Sequence, residues 1–510
     1  MISPKSDSPT DWLIAVATRD PDRACITLPV GRHVTYLGLR NEVSAFAQTL
    51  ASLGVAPGDR VAIQVEKSIE AVALYLACLA AGAIYVPVNP DATLTELDYV
   101  LSDATPKLVV VDTRKFDAAR PHAERAGIAI EALGVAGEGS FADAARGQPH
   151  EWAPRHSSPA EVAALIYTSG TTGRPKGAML TLGNLASNAR ALASTWRMTE
   201  SDVLLHALPL CHVHGLFAAL NTMLYSGGSL LLMHRFDARE VLALLPRVSV
   251  LMGVPTFYTR LLAAGISRAD AAHIRLFVSG SAPLLPSTHR EFAARTGAEV
   301  IERYGMTETL INASHPFEGP RTAGSVGRAL PGVEIRARRA DGTLAGHGEV
   351  GTLEVRGPNV FSGYWQDPAR TQAEFQADGY FVTGDLATID ESGTITIVGR
   401  GKDLVISGGY NVYPREIEAA LDALPGIKES AVIGVPHPDL GEAVAALVTA
   451  EPGAVIDEKA VVAALANSLA RYKLPRRVIQ VAELPRNAMG KVQKALLREQ
   501  YGALCSKPAS

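Results

Sequence analysis

The chain has 510 residues, of which 47% are hydrophobic and 20% are charged, and its formal net charge is −4. This length exceeds what a single hydrophobic core supports, so two or more domains are expected. The near-neutral charge argues against a nucleic-acid-binding surface, and the polar N-terminal residues lack the apolar segment of a signal peptide. The four cysteines form no Cys-x-x-Cys pair and indicate reduced thiols of a cytoplasmic enzyme: Cys25, Cys78, Cys211 and Cys505.

Residues 71–88 form a stretch without any charged side chain. A stretch of this length is long enough to span a membrane. Gly82 and Pro87 interrupt it, however, and charged residues lie shortly before it. We therefore predict a buried helix, a turn at residues 81–82 and a buried strand at residues 83–88, with no association with a membrane.

The first half of the chain alternates between helical and strand patterns. Apolar residues recur with helical spacing over residues 36–53, 94–102 and 184–196, and short apolar runs predict strands at residues 60–64, 107–111, 162–166, 203–208 and 230–233. This alternation is typical of an α/β fold with a mostly parallel sheet. Residues 112–160 are rich in Ala, Gly and Glu and give no clear pattern.

The pattern changes near Gly332. Short β runs at residues 333–337, 350–356 and 394–398 predict a small β-rich subdomain. Beyond it, helices at residues 414–424 and 458–469 alternate with strands at residues 429–435 and 444–449, which predicts an α+β unit. We place the boundary at residues 400–402, which gives a large N-terminal domain of residues 1–401 and a small, mobile C-terminal domain of residues 402–510.

The stretch YTSGTTGRPKG, residues 167–177, follows the predicted strand 162–166. Its small residues let backbone N–H groups approach a ligand, its hydroxyls add donors and its two cations offset negative charge, so it fits a polyphosphate. It is not a Walker A loop, because Lys176 stands three residues after Gly173 and is followed by Gly177. A flexible Gly/Thr surface loop is the alternative that composition alone allows.

Two further stretches follow predicted strands. ERYGMTET, residues 302–309, offers the ring of Tyr304 to a base, the hydroxyl of Thr307 to a phosphate and the carboxylate of Glu308 to Mg²⁺. Its alternative is an ordinary helix capped by Thr307. SGSAP, residues 279–283, lies where α/β sheets bind ligands, although a plain turn has the same composition.

Three more stretches contain charged residues with a possible role. Asp385 in YFVTGDL can accept both hydroxyls of a ribose, or can be a turn aspartate. The stretch GRGKDLVISGGYNVYP joins the two predicted domains and offers a hinge, or a simple linker with a β-turn. Lys491 in LPRNAMGKVQK can offset the repulsion between a carboxylate and a triphosphate, although such a lysine is usually a solvated charge.

Together, these six stretches resemble the motifs of the adenylate-forming superfamily, which contains acyl-CoA synthetases, peptide-synthetase adenylation domains and firefly-type luciferases. The resemblance implies an enzyme that uses ATP, Mg²⁺ and CoA and that first forms an acyl-AMP and then transfers the acyl group to a thiol. The implied catalytic residues are Lys491, the hinge residue Lys402, Thr168 and Glu308, the last two also at the metal. The implied ATP and AMP ligands are Thr168, Ser169, Gly170, Thr171, Thr172, Gly173, Lys176, Ser281, Ala282, Pro283, Glu302, Arg303, Tyr304, Thr307, Asp385, Arg400 and Lys491.

The acid is expected to bind in the segment after the glycine-rich loop and around ERYGMTET. The candidate residues are His206, His212, His214, Arg235, Ser279, Met306 and Arg290. A fatty-acid pocket would be apolar, so this polar set favours an acid with a second carboxylate, which requires a cation because an unpaired buried charge costs several kcal/mol. Arg235 is the first candidate for that cation and Arg290 the second, with a plain surface arginine as the alternative for Arg235.

Stretches such as HALPLCHVHGLF and GPNVFSGYW resemble malonyl-CoA synthetases, and this likeness extends over nearly the whole chain. It implies malonate and methylmalonate as substrates. A general short- or medium-chain acyl-CoA synthetase and an adenylation enzyme that loads a carrier-protein thiol stay open as alternatives. The candidates on the CoA side are Gly408, Gly409, Tyr410, Arg471 and Lys473. The family resemblance also suggests a protein lysine acetyltransferase that modifies Lys491.

Overall fold

The computed structural model describes residues 8–149, 155, 157–168, 175–407, 410–438, 440–487 and 490–504. The elements before the glycine-rich loop are α1 (Pro9–Arg19), β1 (Ala24–Thr27), β2 (His33–Thr35), α2 (Tyr36–Ser52), β3 (Arg60–Gln64), α3 (Ile69–Ala81), β4 (Ile84–Pro87), α4 (Leu94–Ala104), β5 (Leu108–Val111), α5 (Phe116–Ala126), β6 (Ala129–Ala132), α6 (Ser140–Ala145) and β7 (Val162–Thr168).

The next section of the chain contains β8 (Lys176–Thr181), α7 (Leu182–Thr195), β9 (Val203–His206), α8 (Thr222–Ser226), β10 (Ser229–Leu232), α9 (Ala238–Leu244), β11 (Val250–Gly253), α10 (Pro255–Ala263), α11 (Arg268–Ala271), β12 (Leu276–Ser279), α12 (Pro286–Thr296), β13 (Val300–Met306), β14 (Leu310–Ser314) and β15 (Arg328–Ala329). A π-helix, His214–Asn221, precedes α8.

The last two sections are β-rich and then mixed. The first contains β16 (Glu334–Arg338), β17 (Gly351–Arg356), β18 (Gly363–Tyr364), α13 (Pro368–Ala373), β19 (Phe381–Ile389) and β20 (Ile395–Arg400). The second contains β21 (Val405–Ser407), β22 (Tyr410–Val412), α14 (Pro414–Leu421), β23 (Ile427–His437), β24 (Gly441–Ala450), α15 (Glu458–Leu465), β25 (Arg477–Gln480) and α16 (Lys494–Tyr501).

Two large, mostly parallel sheets form the N-terminal part of the molecule. A seven-stranded sheet has the order β18-β8-β7-β4-β3-β5-β6, and a nine-stranded sheet has the order β15-β14-β13-β12-β11-β9-β10-β1-β2. Val61 of β3 and Leu204 of β9 belong to one hydrophobic core, so the two sheets pack as a unit. Their parallel strands are continuous apolar runs, such as Leu108–Val111, because helices and the other sheet cover both faces. The predicted α/β class is confirmed.

Two smaller sheets complete the chain. An antiparallel sheet of order β16-β17-β19-β20 is the predicted β-rich subdomain. The C-terminal sheet has a separate hydrophobic cluster on each face, because successive residues of β23, Val432 and Ile433, point to opposite sides. The boundary between residues 401 and 402 and the mobility of the C-terminal domain stay predictions.

The uncharged stretch 71–88 folds as predicted. Helix α3 ends at Ala81, Gly82 adopts a left-handed conformation with φ +72°, and β4 follows as a fully buried strand. Within the described part of the chain, no helix has the length and apolar character needed to cross a membrane.

Candidate active site

The glycine-rich loop connects two paired strands. Thr168 at the end of β7 is the register partner of Lys176 at the start of β8. Between them, the predicted ligands Ser169, Gly170, Thr171, Thr172 and Gly173 lie outside the described residues. Helix α4 supports both ends of the loop, because Tyr99 donates a hydrogen bond to the carbonyl of Pro175 (2.6 Å) and Tyr167 donates one to Asp103.

Lys176 and the predicted metal ligand Glu308 approach the same tyrosine. The ammonium of Lys176 lies 4.9 Å from the centre of the Tyr364 ring, and the hydroxyl oxygen of Tyr364 lies 3.1 Å from Oε1 of Glu308. Burial raises the pKa of Glu308. Thr307 begins a single 3₁₀ turn, Thr307–Thr309, between two antiparallel strands, so it does not open the helix that was the alternative explanation.

The predicted ribose ligand Asp385 is held by two neighbours. Tyr304 donates a hydrogen bond to it (2.6 Å), and the Nε of Arg400, its register partner on β20, lies 3.0 Å from its other oxygen. Burial and the charge of Asp385 raise the pKa of Tyr304 well above its usual value, so the tyrosine remains a neutral donor. Asp385 and Arg400, both predicted at the ribose, thus lie together with Tyr304, which was predicted at the base, while the contact of all three with a nucleotide stays a prediction.

Lys491 reaches this same cluster from the C-terminal domain. Burial, followed by the positive charge of Arg400, lowers the pKa of Lys491 to about 8, and the charges of Asp385 and Lys402 also act on it. Its loop turns at Gly490, where φ is +72° and a Cβ atom would lie 3.2 Å from the Thr256 hydroxyl oxygen. The loop thus packs against the first turn of α10.

The SGSAP stretch follows β12 and contacts the π-helix. Ser281 has a positive φ of 71°, which is uncommon for a residue with a side chain, and its hydroxyl lies 3.2 Å from Nδ1 of His214. Ala282 is half-buried and Pro283 is exposed. Glu302 accepts a hydrogen bond from the backbone N–H of Gly324 (3.1 Å) and so holds the loop that contains Gly324. Burial raises the pKa of Glu302 to about 7.

Arg303 was predicted to contact the nucleotide, and that role stays a prediction. Its side chain is buried and lies against Gly280, where an added Cβ would be 2.3 Å from Cζ. Its Nε and Nη2 atoms are buried and have no hydrogen-bond partner among the described residues. The Ser279 hydroxyl and Nε2 of His214 are likewise buried and unpartnered within the described part of the chain.

Burial lowers the pKa of Arg303 to about 9, so the guanidinium still carries its charge at neutral pH. No carboxylate of the described residues forms an ion pair with it within 4.0 Å. Arg303 directly follows Glu302 in β13, so two charged residues are buried within a strand whose other residues are mostly apolar.

Of the other two histidines of the predicted acid site, His206 is buried and His212 is half-buried. Burial lowers the pKa of His206 to about 3 and that of His212 to about 4, so both rings are neutral. Nε2 of His206 lies 2.8 Å from the Gly215 carbonyl, and the buried Lys67 donates to the backbone carbonyl of His206 (2.6 Å). Met306 ends β13 and is half-buried.

The two arginines predicted to bind a second carboxylate differ from the histidines in being exposed. Arg235 is exposed, and its Nη2 is 3.4 Å from the exposed His234. It follows the end of β10, where the chain returns to the surface. Arg290 lies on the exposed face of α12. Both arginines are therefore exposed, and their contact with a second carboxylate stays a prediction.

The described candidates for CoA binding belong to strand β22, which contains Tyr410, and to the 3₁₀ turn Arg471–Lys473. Gly408 and Gly409 are outside the described residues. Tyr410 stacks on Tyr472, with ring centres 4.6 Å apart and an interplanar angle of 24°. Arg471 is exposed, and Lys473 pairs with Glu416 at 2.6 Å.

Comparisons with known proteins place the chain in a family. Residues 13–365 match the model of the AMP-binding enzyme family, and residues 416–491 match that of the AMP-binding enzyme C-terminal domain. The long-chain-fatty-acid–CoA ligase FadD13 of Mycobacterium tuberculosis is 35% identical, covering 93% of this chain and 94% of its own. The mitochondrial malonate–CoA ligase ACSF3 of Mus musculus is also 35% identical, covering 94% of this chain and 89% of its own.

Solved structures of MatB from Rhodopseudomonas palustris are similar over the whole fold. The ATP-bound form is 50% identical, covers 98% of this chain and 100% of its own, and superposes with a TM-score of 0.95. The apo form has the same identity and coverage but a TM-score of 0.85. The conformation of this chain is thus more similar to the ATP-bound form.

Fold and matches define the class of the protein as an AMP-forming acid–CoA ligase, which uses ATP and CoA. The chain belongs to the AMP-binding enzyme family, and within it the chain resembles malonyl-CoA synthetases.

Proposed function

We propose that the enzyme joins malonate, and also methylmalonate, to CoA through an acyl-AMP intermediate. The observation that carries this proposal is the buried guanidinium of Arg303, whose Nε and Nη2 have no partner among the described residues. A buried charge without a partner destabilises the fold by several kcal/mol, and a bound anion would offset this loss of stability. An acid with a second carboxylate supplies that anion, whereas a fatty acid does not.

Two neutral donors belong to residues near Arg303. The charge of Arg303 acts on His214, and when Ser281 donates to Nδ1 of His214, the proton of the ring resides on Nε2, which can then donate to a carboxylate. Ser279, whose hydroxyl is a further unpartnered donor, precedes Gly280, which lies against Arg303. A charged donor and two neutral ones suit a carboxylate much better than a methyl group. The malonate–CoA ligase relative and the resemblance to malonyl-CoA synthetases support the same class of acid.

In the first reaction, a carboxylate oxygen of the acid attacks the α-phosphorus of ATP, and the bond to pyrophosphate breaks. We assign Asp385 to the ribose hydroxyls and Tyr304 to the adenosine side. Lys491 offsets the repulsion between the attacking carboxylate and the α-phosphate, and Lys176 binds the outer phosphates.

Hard oxygen atoms at Glu308 and Thr168 fit a magnesium ion. Among the described residues, no group of three or more His, Cys, Asp or Glu side chains could hold a metal without further ligands. Mg²⁺ commonly uses one or two carboxylates together with phosphate oxygens, so the donor set is suitable for Mg²⁺ bound with ATP, where it would neutralise phosphate charge.

In the second reaction, the CoA thiol attacks the carbonyl carbon of the acyl-AMP and AMP leaves. We propose that the C-terminal domain first rotates about Lys402, which brings Gly408 and Gly409 to the thiol. The exposed ring of Tyr410 and the cations of Arg471 and Lys473 then offer contacts to the nucleotide part of CoA.

Lys491 is also proposed as the target of a protein lysine acetyltransferase. Its pKa of about 8 increases the fraction of neutral, nucleophilic amine at physiological pH. Acetylation would remove the cation that the first reaction requires. Loss of pyrophosphate exchange after acetylation, with recovery after deacetylation, is the expected result.

The proposed substrate is tested by measuring ATP- and CoA-dependent pyrophosphate release with acetate, butyrate, malonate, methylmalonate and succinate. Malonate is expected to exceed acetate and butyrate in kcat/KM by orders of magnitude, since a site that requires a charged partner rejects acids that lack it. Equal or faster turnover of butyrate would identify a general acyl-CoA synthetase. Acyl-AMP formation with no transfer to CoA, but transfer to a carrier-protein thiol, would identify the carrier-loading alternative.

A further inference from the structure

Glu374, which no sequence motif indicated, lies between the phosphate-binding loop and the predicted metal ligand. Its Oε1 is 3.6 Å from the ammonium of Lys176 and 3.0 Å from Nε of Arg370. Its Oε2 accepts a hydrogen bond from the hydroxyl of Tyr364 across 2.7 Å. The same hydroxyl is 3.1 Å from Glu308. One carboxylate therefore joins Lys176 to the segment that contains Glu308.

A rigid frame holds these groups. Tyr364 lies on β18 and is the register partner of Ala178 on β8, the strand that begins with Lys176. The backbone N–H of Tyr364 donates to the hydroxyl of Thr371 on α13 (2.9 Å), which folds the helix back onto the strand. Glu374 is the residue directly after α13, so its position is fixed relative to Lys176.

The two cations beside Glu374 differ in how firmly they hold it. Arg370 is within hydrogen-bond distance and comes from the same helix, four residues earlier. Lys176 is farther than a good hydrogen bond allows, so its contact with Glu374 is a charge attraction only. Lys176 can therefore leave Glu374 without leaving the carboxylate unpaired.

We propose that Glu374 is a positioning residue that holds Lys176 beside the phosphate site until ATP binds, whereupon the phosphates replace Glu374 as the partner of Lys176. Arg370 remains the cation that pairs with the Glu374 carboxylate during this exchange, and the hydroxyl of Tyr364 keeps that carboxylate close to Glu308. This inference rests on the proposed contact between Lys176 and the ATP phosphates. It does not depend on the identity of the acid.

The first test is Glu374→Gln, which keeps the size and an acceptor oxygen for Tyr364 but removes the charge that competes for Lys176. ATP with Mg²⁺ is titrated by calorimetry without an acid, so that no turnover occurs. We expect ATP to bind about two- to fivefold more tightly, the range for a partly exposed ion pair. The matched control is Glu318→Gln, which removes an exposed carboxylate paired with Arg197 and should leave ATP binding unchanged.

Arg370→Met should change the affinity for ATP in the direction opposite to Glu374→Gln. Without Arg370, Glu374 has Lys176 as its remaining cation, so Lys176 is held more firmly and ATP should bind several-fold more weakly. A purely structural role of the cluster would instead make both variants weaken binding. That outcome, or no change in either variant, would overturn the proposal.

Lys176→Met separates this inference from the function on which it rests. If Lys176 contacts the phosphates, its loss weakens ATP binding, and Glu374→Gln then has no further effect in the Lys176→Met background. Unchanged ATP binding in Lys176→Met would refute the proposed phosphate contact itself. Weaker binding in Lys176→Met, together with the same effect of Glu374→Gln in both backgrounds, would refute only the role of Glu374.

Discussion

Gly280 and Arg303 lie so close together that a Cβ atom at position 280 would be 2.3 Å from Cζ of Arg303. The guanidinium thus occupies space that is free only because residue 280, directly after β12, is a glycine. Ser279 precedes this glycine and Ser281 follows it, and both carry hydroxyls at the proposed acid site. One strand end therefore positions the cation and supplies two of the polar groups near it.

Gly280→Ala should disturb the acid site while the protein stays folded. The added methyl group meets the end of a flexible side chain, so Arg303 is expected to move while the backbone stays in place. We expect kcat/KM for malonate to fall at least tenfold, with little change in the melting temperature. Measuring both quantities on the purified variant checks this, and an unchanged kcat/KM would contradict the placement of the second carboxylate at Arg303.

Arg303→Met should selectively remove turnover of malonate. Removing one partner of a buried charge pair costs about 3–5 kcal/mol, so kcat/KM for malonate should fall by about a hundredfold or more. Turnover of acetate, which has no second carboxylate, should not fall. Comparing the two acids in the pyrophosphate release assay checks this.

Arg235→Met is the matched control, because Arg235 is an exposed arginine outside the buried site. Its kcat/KM for malonate should remain that of the unaltered enzyme. A large loss in this variant would restore Arg235 as the substrate cation. Equal loss with malonate and acetate in Arg303→Met would instead return Arg303 to the nucleotide, as its motif first suggested.

The general fold followed from the sequence because helical and strand periodicities are local properties. The parallel strands were found within a few residues, and so was the uncharged helix-turn-strand unit of residues 71–88. Asp385, Arg400 and Tyr304, which the sequence reasoning assigned to the nucleotide from separate stretches, lie in contact with one another, because each stretch has its own recognisable pattern.

The burial of Arg303, the proposed substrate cation, could not be predicted in this way. Arg303 and its neighbours on β13 are all buried, so alternation along the strand does not show which side chain faces a cavity. Glu374 and Lys176 are distant in sequence and meet only because β18 pairs with β8. Contacts of this kind depend on strand pairing between remote segments, which leaves no local pattern.

Formation of the acyl-AMP should decline above a pH of about 8. The pKa of Lys491 is lowered to about 8, so the lysine is a cation below that pH and becomes neutral above it. Since the neutral amine cannot offset the charges of carboxylate and phosphate, kcat/KM for ATP should be level below pH 8 and fall as the pH rises. Pyrophosphate exchange between pH 6.5 and pH 9.5 measures this profile.

Lys491→Arg tests whether this decline belongs to Lys491. A guanidinium stays charged over the whole range, so the variant should be slower but should show no decline near pH 8. A decline at the same pH in this variant would assign the titration to another group.

Gly490→Ala should impair the first reaction more than the second. The left-handed φ of +72° disfavours alanine, and the added Cβ would lie 3.2 Å from the Thr256 hydroxyl, so the loop could no longer pack against α10 and bring Lys491 to the site. We expect acyl-AMP formation to fall at least tenfold. Transfer of the acyl group from supplied malonyl-AMP to CoA should be nearly unchanged, because the proposed rotation of the C-terminal domain would move Lys491 away from the site in this step. Gly453→Ala, with a similar φ of +84° and open space around the Cβ position, controls for backbone strain and should leave both reactions unchanged. Equal losses of both half-reactions in Gly490→Ala would show that the loop acts on stability and not on the placement of Lys491.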